Sequence, residues 1–390
     1  MGKYSFRDIV IDSRTGLNPR KNFKLGNGNN YYITIKDIHN GRIEITDKTD
    51  RIDDEAVEKI KKRSRIKNGD ILFTSIGRIG ETAIVHDKND TWEVNESIFI
   101  FTINSEIIDA EYFCILLQSS ELQERLAKDS SGSTFKSIKM NQLEKLSFDL
   151  PTIAEQRKIS ININKVSNLI NLCNTILEKL DLLVKSRFIE LFGDPVSNPH
   201  KWDKIPLGEL AEIKIGPFGT LLHKEDYIQN AHALVNPSHI IDGKIAIDMK
   251  LTVSDDKYNE LSAYHLNIDD VVMGRRGEMG RCAVVSKSGL FCGTGSMIIR
   301  SNGRLKADYI QKIISFPSFK KTIEDMAVGQ TMPNLNVPIV SNFMIICPPI
   351  EVQEQYYAFV EQTDKSKLAV KQVLEKAETL KKALMQEYFG

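Results

Sequence analysis

The sequence predicts an α+β protein in which two α/β domains alternate with two long helices that form an antiparallel coiled coil, with a pseudo-two-fold internal repeat. Three observations predict this architecture: a heptad pattern after position 150, a second copy of that region at the C-terminus, and strand-and-turn patterns in both intervening segments. The expected order is a domain over 1–150, a helix over 151–193, a second domain over 194–347 and a second helix over 348–390.

The first long helix is indicated by apolar residues spaced alternately four and three positions apart. This spacing is typical of a coiled-coil seam, which is narrower than the apolar stripe of a helix lying on a globular core. Thr152 and Glu155 match a capping box at its start, and Gly193 is a stop signal. At a rise of about 1.5 Å per residue, the helix is expected to be roughly 55 Å long. The seam positions are Ile159, Ile163, Val166, Ile170, Cys173, Leu177, Leu180 and Val184.

The second long helix is a copy of the first, because a shift of 197 residues places Pro151 on Pro348 and Gln156 on Gln353. Two copies of one unit therefore account for the whole sequence. Lys367 and Lys381 occupy seam positions of the second helix, so either the helices pair asymmetrically or the lysine stems pass the seam towards solvent. The apolar seam positions are Val360, Val370, Leu374, Ala377 and Leu384.

A strand, a turn with two glycines and a second strand occur in both domains, at an offset of 200 residues. Glycine allows the positive φ that such a turn needs, so the glycines alone indicate only structure. The polar residues around the turn differ between the copies. This difference is expected if the two domains bind different ligands, and also if an exposed turn has changed by neutral drift. The candidate site residues here are Thr74, Ser75 and Arg78 in the first copy, and Arg275, Arg276 and Arg281 in the second.

A polar loop follows a predicted helix in each domain, over 110–128 and over 307–327. Its side chains are of the kinds that hydrogen-bond base edges and phosphates, although they are also ordinary loop residues. The candidates are Ser133, Thr134 and Lys136 in the first loop, and Gln330, Thr331 and Asn334 in the second.

Composition and missing motifs narrow the function to binding. The formal net charge of the 390 residues is zero, so any nucleic-acid contact must be local or shared with a partner. A methyltransferase Asn/Asp-Pro-Pro-Tyr/Phe motif, a dinucleotide-binding glycine loop and a Walker A lysine loop are all missing. The five cysteines and seven histidines show no metal-ligand spacing, and no apolar run suits a membrane span. We expect a cytoplasmic, non-catalytic binding protein without a metal or cofactor of its own.

Several motifs resemble the DNA-specificity subunit of type I restriction-modification systems. They are the residues 150–159 and 350–355 that begin the long helices, the Phe-Gly ends at 192–193 and 389–390, and the run 69–80. One departure is Val352, which stands where the first copy has Glu155, so the second helix is not expected to have the same cap.

The resemblance implies that each domain is a target-recognition domain reading one half of a bipartite site in double-stranded DNA. The helices would be the spacer and the docking surface for two methyltransferase (modification) subunits, which restriction (translocase/endonuclease) subunits would join. S-adenosylmethionine, ATP and Mg²⁺ would belong to those partners. Arg275 and Arg276 are the strongest candidates for base contact, because arginine is the usual bidentate partner of guanine; a surface ion pair with Glu278 is the alternative.

Two other functions fit the same pattern. The chain could be the specificity chain of another class of methyltransferase or restriction enzyme, whose catalytic chains bind the helices. It could also be a coiled-coil scaffold that binds only proteins. DNA binding that depends on base sequence would exclude the scaffold, whereas the target itself depends on loop geometry that the sequence does not fix.

Overall fold

The structure is a computed structural model that divides into two compact units. The first unit is Met1–Ile176 with Val370–Gly390, and the second is Leu177–Ala369, so each contains one domain and parts of both long helices. Apart from the side chains of Asp129 and Lys224, it describes residues 2–39, 41–89, 91–129, 137–218, 221–327 and 334–390.

The first domain is built from short strands and helices. In order they are β1 (Gly2–Ser5), α1 (Phe6–Ile9), β2 (Val10–Thr15), β3 (Asn30–Ile33), β4 (Ile38–His39), β5 (Arg42–Ile43), β6 (Asp50–Ile52), α2 (Asp54–Ser64), β7 (Ile71–Thr74), β8 (Thr82–Ile84), β9 (Trp92–Val94), β10 (Ile98–Ile103), α3 (Ala110–Leu117), α4 (Ser120–Asp129), α5 (Met140–Leu143) and β11 (Ser147–Leu150). A 3₁₀ turn occupies Ile35–Asp37.

A four-stranded antiparallel sheet, in the order β2-β10-β7-β8, forms the centre of the first domain. Its strand β7 is buried along its whole length, which agrees with its unbroken apolar sequence Ile71-Leu72-Phe73. A second sheet, β6-β3-β9, packs beside it, and β1 pairs with β11 so that the start and end of the domain meet. The turn that joins β7 to β8 lies at one end of the strands of this central sheet.

The long helix α6 (Ile153–Phe192) follows, and then a second domain with matching topology. Its elements are β12 (Lys204–Pro206), α7 (Leu207–Leu210), β13 (Ala211–Ile215), β14 (Tyr227–Ile228), β15 (His232–Val235), β16 (Ile240–Ile241), β17 (Lys244–Ile245), β18 (Thr252–Val253), α8 (Asp255–Glu260), β19 (His265–Leu266), β20 (Val271–Gly274), β21 (Cys282–Val284), β22 (Leu290–Cys292), β23 (Ser296–Ser301), α9 (Ala307–Ile314), α10 (Pro317–Met326), α11 (Val337–Ser341), β24 (Met344–Ile346) and the long helix α12 (Ile350–Phe389). The 3₁₀ turns are Lys224–Asp226, Pro237–His239 and Ser262–Tyr264.

The central sheet of the second domain has the order β13-β23-β20-β21, which is that of β2-β10-β7-β8 in the first. The closing pair β12-β24 likewise corresponds to β1-β11. The internal repeat predicted from the sequence is thus confirmed in the connectivity of the sheets.

The two long helices, of 40 residues each, pack together in antiparallel sense within both units. In the first unit, Ile163 near the start of α6 belongs to the same buried cluster as Phe389 at the end of α12. In the second unit, Phe188 near the end of α6 packs on Tyr356 near the start of α12, with ring centroids 5.5 Å apart. The predicted seam positions are buried or half-buried, and buried Thr363 occupies the seam position after Val360.

The helix starts agree with the sequence signals. The Thr152 amide donates to the Glu155 carboxylate at 2.9 Å, and the Glu155 amide donates to the Thr152 hydroxyl at 3.4 Å, as the capping box predicts. Lys367 lies on the seam but its Nζ reaches Asp181 on α6 at 2.8 Å, so its stem passes the seam to an exposed carboxylate.

One sequence expectation was wrong in detail. The helices expected over 110–128 and 307–327 are each broken in two. Ser119 caps α4 by accepting a hydrogen bond from the Leu122 amide, and Pro317 begins α10, where its ring cannot continue the preceding helix. Within the described ranges, no helix combines the length and the apolar composition that a membrane-spanning segment needs.

Candidate nucleic-acid interface

The glycine turn pairs in both units with the segment that follows the polar loop, although the two are distant in sequence. The Ile138 amide donates to the Ser75 carbonyl at 2.9 Å, and the Leu335 amide donates to the Arg275 carbonyl at 2.9 Å. The chain returning from each polar loop therefore pairs with the start of the turn. Ser133, Thr134, Lys136, Gln330 and Thr331 lie outside the described residues, so their predicted contacts stay predictions.

The turn itself is tightly packed. Gly80 has a φ of 90°, and a Cβ there would lie 2.0 Å from the side-chain nitrogen of Gln123. Gly280, its counterpart, has a φ of 72°, and a Cβ would lie 2.8 Å from the Ile314 carbonyl oxygen. The positive φ favours glycine at both positions, and at Gly280 a Cβ would also clash with the backbone.

Thr74 and Ser75 are buried and hold the first turn together. The Ser75 hydroxyl donates to the Ser97 carbonyl at 2.8 Å, and the Thr74 hydroxyl bonds to the carbonyls of Arg78 and Glu81. These bonds satisfy both hydroxyl groups inside the protein. In this conformation neither side chain faces solvent, and their contact with DNA stays a prediction.

The first turn carries an internal ion pair. Arg78 and Glu81 are 3.0 Å apart, and Arg78 also donates to the Ile35 carbonyl at 2.8 Å. Because Ile35 lies in the 3₁₀ turn before β4, this arginine fastens the glycine turn to the neighbouring hairpin. Half-exposed, Arg78 also retains a solvent-facing surface.

The second turn carries the same ion pair with the charges exchanged. Here Glu278 precedes Arg281, their closest atoms are 2.7 Å apart, and Arg281 donates to the Pro237 carbonyl at 3.2 Å. Glu278 also binds Lys320 at 3.1 Å. The sequence alternative in which Glu278 pairs with Arg275 or Arg276 was therefore wrong, because other cations occupy that carboxylate.

Arg275 is the unusual residue of the second turn. Its side chain is buried, with 7% of the residue exposed, and its Nε has no hydrogen-bond partner within the described part of the chain. Its guanidinium carbon lies 6.0 Å from the ring centroid of Phe218, which is 60% exposed. Burial and the charge of Arg276 lower the pKa of Arg275. A buried N–H group without a partner costs free energy, so this site is suited to a ligand that accepts hydrogen bonds.

Three more polar residues lie near this position. Arg276 is exposed and its backbone pairs with that of Asn334, whose Oδ1 is buried and has no partner among the described residues. The Ser296 hydroxyl, on the strand beside Gly274, is also buried and unpaired in the described structure. The second turn thus holds several unpaired buried groups, and at the position of Arg275 the first turn has Ser75, whose hydroxyl is bonded inside the protein.

Comparison with known proteins identifies this arrangement. A family model described as the type I restriction modification DNA specificity domain matches residues 4–182 and 199–379. The chain belongs to this family. The type I restriction enzyme MjaIX specificity subunit of Methanocaldococcus jannaschii is 25% identical over 350 residues, covering 85% of this chain and 79% of that protein. The chain is thus a type I specificity subunit with two specificity domains.

Solved structures share the fold over the full length. The type I restriction-modification S subunit from M. genitalium superposes with a TM-score of 0.58 at 15% identity, covering 100% of this chain and 96% of that one. A chain from a structure described as the basis of complex assembly and conformational transition of the type I system gives 0.59 at 16% identity, covering 100% and 97%.

A buried aspartate before the central strand of each specificity domain binds an arginine, and the sequence analysis missed this ion pair. Asp70, just before β7, binds the Arg14 side chain on β2 at 2.9 Å. Asp270, its counterpart, binds Arg300 on β23 at 2.7 Å. The repeat of the aspartate at an offset of 200 was a visible signal, but its partner could not be found from spacing because it comes from different strands. Among the residues described, no cluster of His, Cys, Asp or Glu is arranged to hold a metal ion.

Proposed function

We propose that this specificity subunit reads a bipartite DNA target, one half with each specificity domain, and docks two methyltransferase subunits on its long helices. The observation that carries the proposal is that both domains keep the same turn while its polar residues differ, above all where the first has bonded Ser75 and the second has Arg275 with an unpaired buried Nε. Two domains that share one fold must differ in the side chains of this turn if they are to recognise different half-sites.

The chemistry around Arg275 favours DNA as the ligand. A guanidinium group offers donors in a fixed plane that match O6 and N7 of guanine in the major groove. We expect Arg276, which is exposed, to contact a phosphate, and Asn334 carries both a donor and an acceptor suited to an adenine edge. A protein ligand would more readily offer Arg275 a carboxylate, and pairing with a carboxylate would not need a site of specific shape.

The outer faces of the long helices support the docking of partners. Large apolar side chains remain exposed in each unit, although a two-helix coiled coil needs only its seam to be apolar. In the first unit they are Ile161, Leu169, Leu172, Val373 and Leu380, and in the second they are Leu182, Leu183, Ile189 and Leu368. One such surface per unit is what two methyltransferase subunits would use.

Catalysis would then lie in the partners. We propose that the methyltransferase subunits bring S-adenosylmethionine and that the restriction subunits, joining the same complex, bring ATP and Mg²⁺. The zero net charge of the chain supports this division, because the partners would supply much of the phosphate contact. The specificity subunit alone is therefore expected to bind DNA weakly and with strong salt dependence.

The test is methylation mapping after co-expression of the chain with its methyltransferase subunit. A split motif with a fixed gap supports the proposal and gives the target sequence. A complex that is stable on a sizing column but adds no methyl groups to any sequence contradicts it and favours the protein-binding scaffold. A methylated motif that is continuous would instead favour the specificity chain of another enzyme class.

A further inference from the structure

A buried glutamine joins each specificity domain to the long helix that follows it. Gln156 lies in the first turn of α6, and Gln353 occupies the same place in α12; both have 0% of their surface exposed. Only a short proline-containing link otherwise separates each domain from its helix. The glutamines are thus placed to control the angle between domain and helix.

Each glutamine makes the same three hydrogen bonds. In the first unit, Gln156 Oε1 accepts from the Asp109 amide at 2.9 Å. Its Nε2 donates to the carbonyls of Ile107 at 3.0 Å and Pro151 at 2.9 Å. The corresponding distances from Gln353 are 2.9 Å to the Lys306 amide, 3.2 Å to the Arg304 carbonyl and 3.0 Å to the Pro348 carbonyl.

The bonds tie the segment before a domain helix to the start of a long helix. Asp109 is the N-cap residue of α3, and Lys306 is the N-cap residue of α9. The primary amide uses its carbonyl and both N–H bonds at once. A glutamate in the same place has the same shape but no donor when ionised, so it cannot replace these bonds.

The second unit has an additional fastening between its domain and the helices. Six aromatic rings pack together there, with centroid separations of 4.9 to 6.3 Å. They come from the end of α6, from α9 and the residues just after it, and from the start of α12. Such ring pairs add to the burial of a large apolar area. The rings are Phe188, Phe192, Tyr309, Phe316, Tyr356 and Tyr357.

The first unit lacks this aromatic cluster. In the described residues, the corresponding positions provide one ring pair, Tyr112 with Phe389, at 5.3 Å. The other positions, taken at the offset of 197, carry Met385, Ser119, Ile159 and Ser160. Beside them lies a cleft of about 1530 Å³ between domain and helices, with polar lining residues that include Glu111, Gln118, Asn164, Asn168 and Lys381.

We propose that Gln156 is the positioning residue that sets the direction of the first specificity domain on its helix, whereas Gln353 shares that role with the aromatic cluster. The two junctions are then unequal, and the first domain is the one whose orientation can change. This inference rests on the proposed bipartite reading, because domain direction fixes the gap between half-sites. Loss of Gln156 would leave the half-sites recognised but loosen the gap.

The experiment compares Gln156→Glu with the matched control Gln353→Glu in the complex with methyltransferase. The substrate is a plasmid library in which the two half-sites are separated by gaps differing by single base pairs. Gln156→Glu should raise methylation at incorrect gaps, relative to the correct gap, about tenfold over wild type, and Gln353→Glu should leave the ratio unchanged. Both half-sites should still be required.

The outcomes separate the two hypotheses. A wild-type complex without any split motif overturns the bipartite proposal and this inference with it. A wild-type split motif, with Gln156→Glu methylating at a normal rate and an unaltered gap, overturns the inference alone. Equal broadening by the two variants also overturns it, because it would show that the junctions are equivalent.

A measurement on the wild-type complex covers the case in which Gln156→Glu does not fold. The amides of Asp109 and Lys306 both donate to a glutamine Oε1, so their hydrogen exchange reports the opening of each junction. We expect exchange about tenfold faster at Asp109, since only the second junction has the aromatic cluster. Equal or slower exchange at Asp109 would refute the inequality of the junctions.

Discussion

Replacement of Arg275 by methionine should increase stability and reduce DNA discrimination at the same time. Methionine keeps an unbranched apolar stem while removing the guanidinium of a residue that is 7% exposed as a whole and whose buried Nε has no partner in the described structure. Relief of an unsatisfied buried polar group should raise the unfolding free energy of the second unit by about 1–3 kcal/mol. Loss of a bidentate base contact should cost about 1–3 kcal/mol of discrimination, or about 5- to 150-fold between bases.

Two assays and one control test this expectation. Urea unfolding of the purified chain measures stability, and methylation of targets with single-base changes in each half-site measures discrimination. Arg276→Met is the control for stability, because Arg276 is exposed and its removal relieves no buried charge. Discrimination should fall in the second half-site only. If Arg275→Met destabilises the chain by more than about 1 kcal/mol and leaves discrimination intact, Arg275 is structural and the reasoning is refuted.

Three further predictions concern the frame. Arg14→Leu leaves the buried Asp70 carboxylate without its cation, so it should cost about 3–5 kcal/mol in urea unfolding. Adding Asp70→Leu should recover much of the loss, and a double variant no more stable than Arg14→Leu would contradict this. Burial raises the pKa of Glu93 against the attraction of Lys88, so the folded state retains a proton that the unfolded chain releases. The stability of wild type relative to Glu93→Gln should therefore fall as the pH rises above the ordinary glutamate range, and unfolding curves at several pH values should not run parallel. Deleting seven residues from each long helix removes about 10 Å of rise and should shorten the gap in the methylated motif by about 3 base pairs; an unchanged gap would exclude the helices as the spacer.

The features predicted from the sequence are those with local causes. The heptad from Ile159 to Val184 indicated the first long helix, and the Thr152–Glu155 pair marked its start, because periodicity and capping depend on neighbours a few residues apart. The glycine turn was predictable for the same reason. The end of the helix before Pro317 also had a local signal, the proline itself, but the apolar pattern on both sides of it suggested one continuous helix.

The features missed by sequence analysis depend on partners far along the chain. Arg14 binds Asp70 across 56 residues, and nothing in the local pattern distinguishes it from an exposed arginine on a polar strand face. The burial of Thr74 and Ser75 was missed because their polarity suggested exposure, whereas they satisfy carbonyl groups inside the turn. Gln156 was visible as a repeated residue, but its role required knowledge of the loop that it contacts.

Comparison of the two repeats distinguishes residues that maintain the fold from residues that differ for another reason. The carboxylates of Asp70 and Asp270 are neutralised by arginines from different strands, so a change in one place is compensated in another. The ion pairs of the two glycine turns have exchanged charges but keep their geometry.

The change from Ser75 to Arg275 has no such compensation. Ser75 is satisfied inside its turn, whereas no carboxylate in the described structure pairs with Arg275. A purely structural position would be expected to regain a partner, as the aspartates did, because an unpaired buried charge lowers stability. We therefore propose Arg275 as part of the ligand site of the second domain, on this lack of compensation as well as on its residue type, and expect guanine in the half-site that this domain would read.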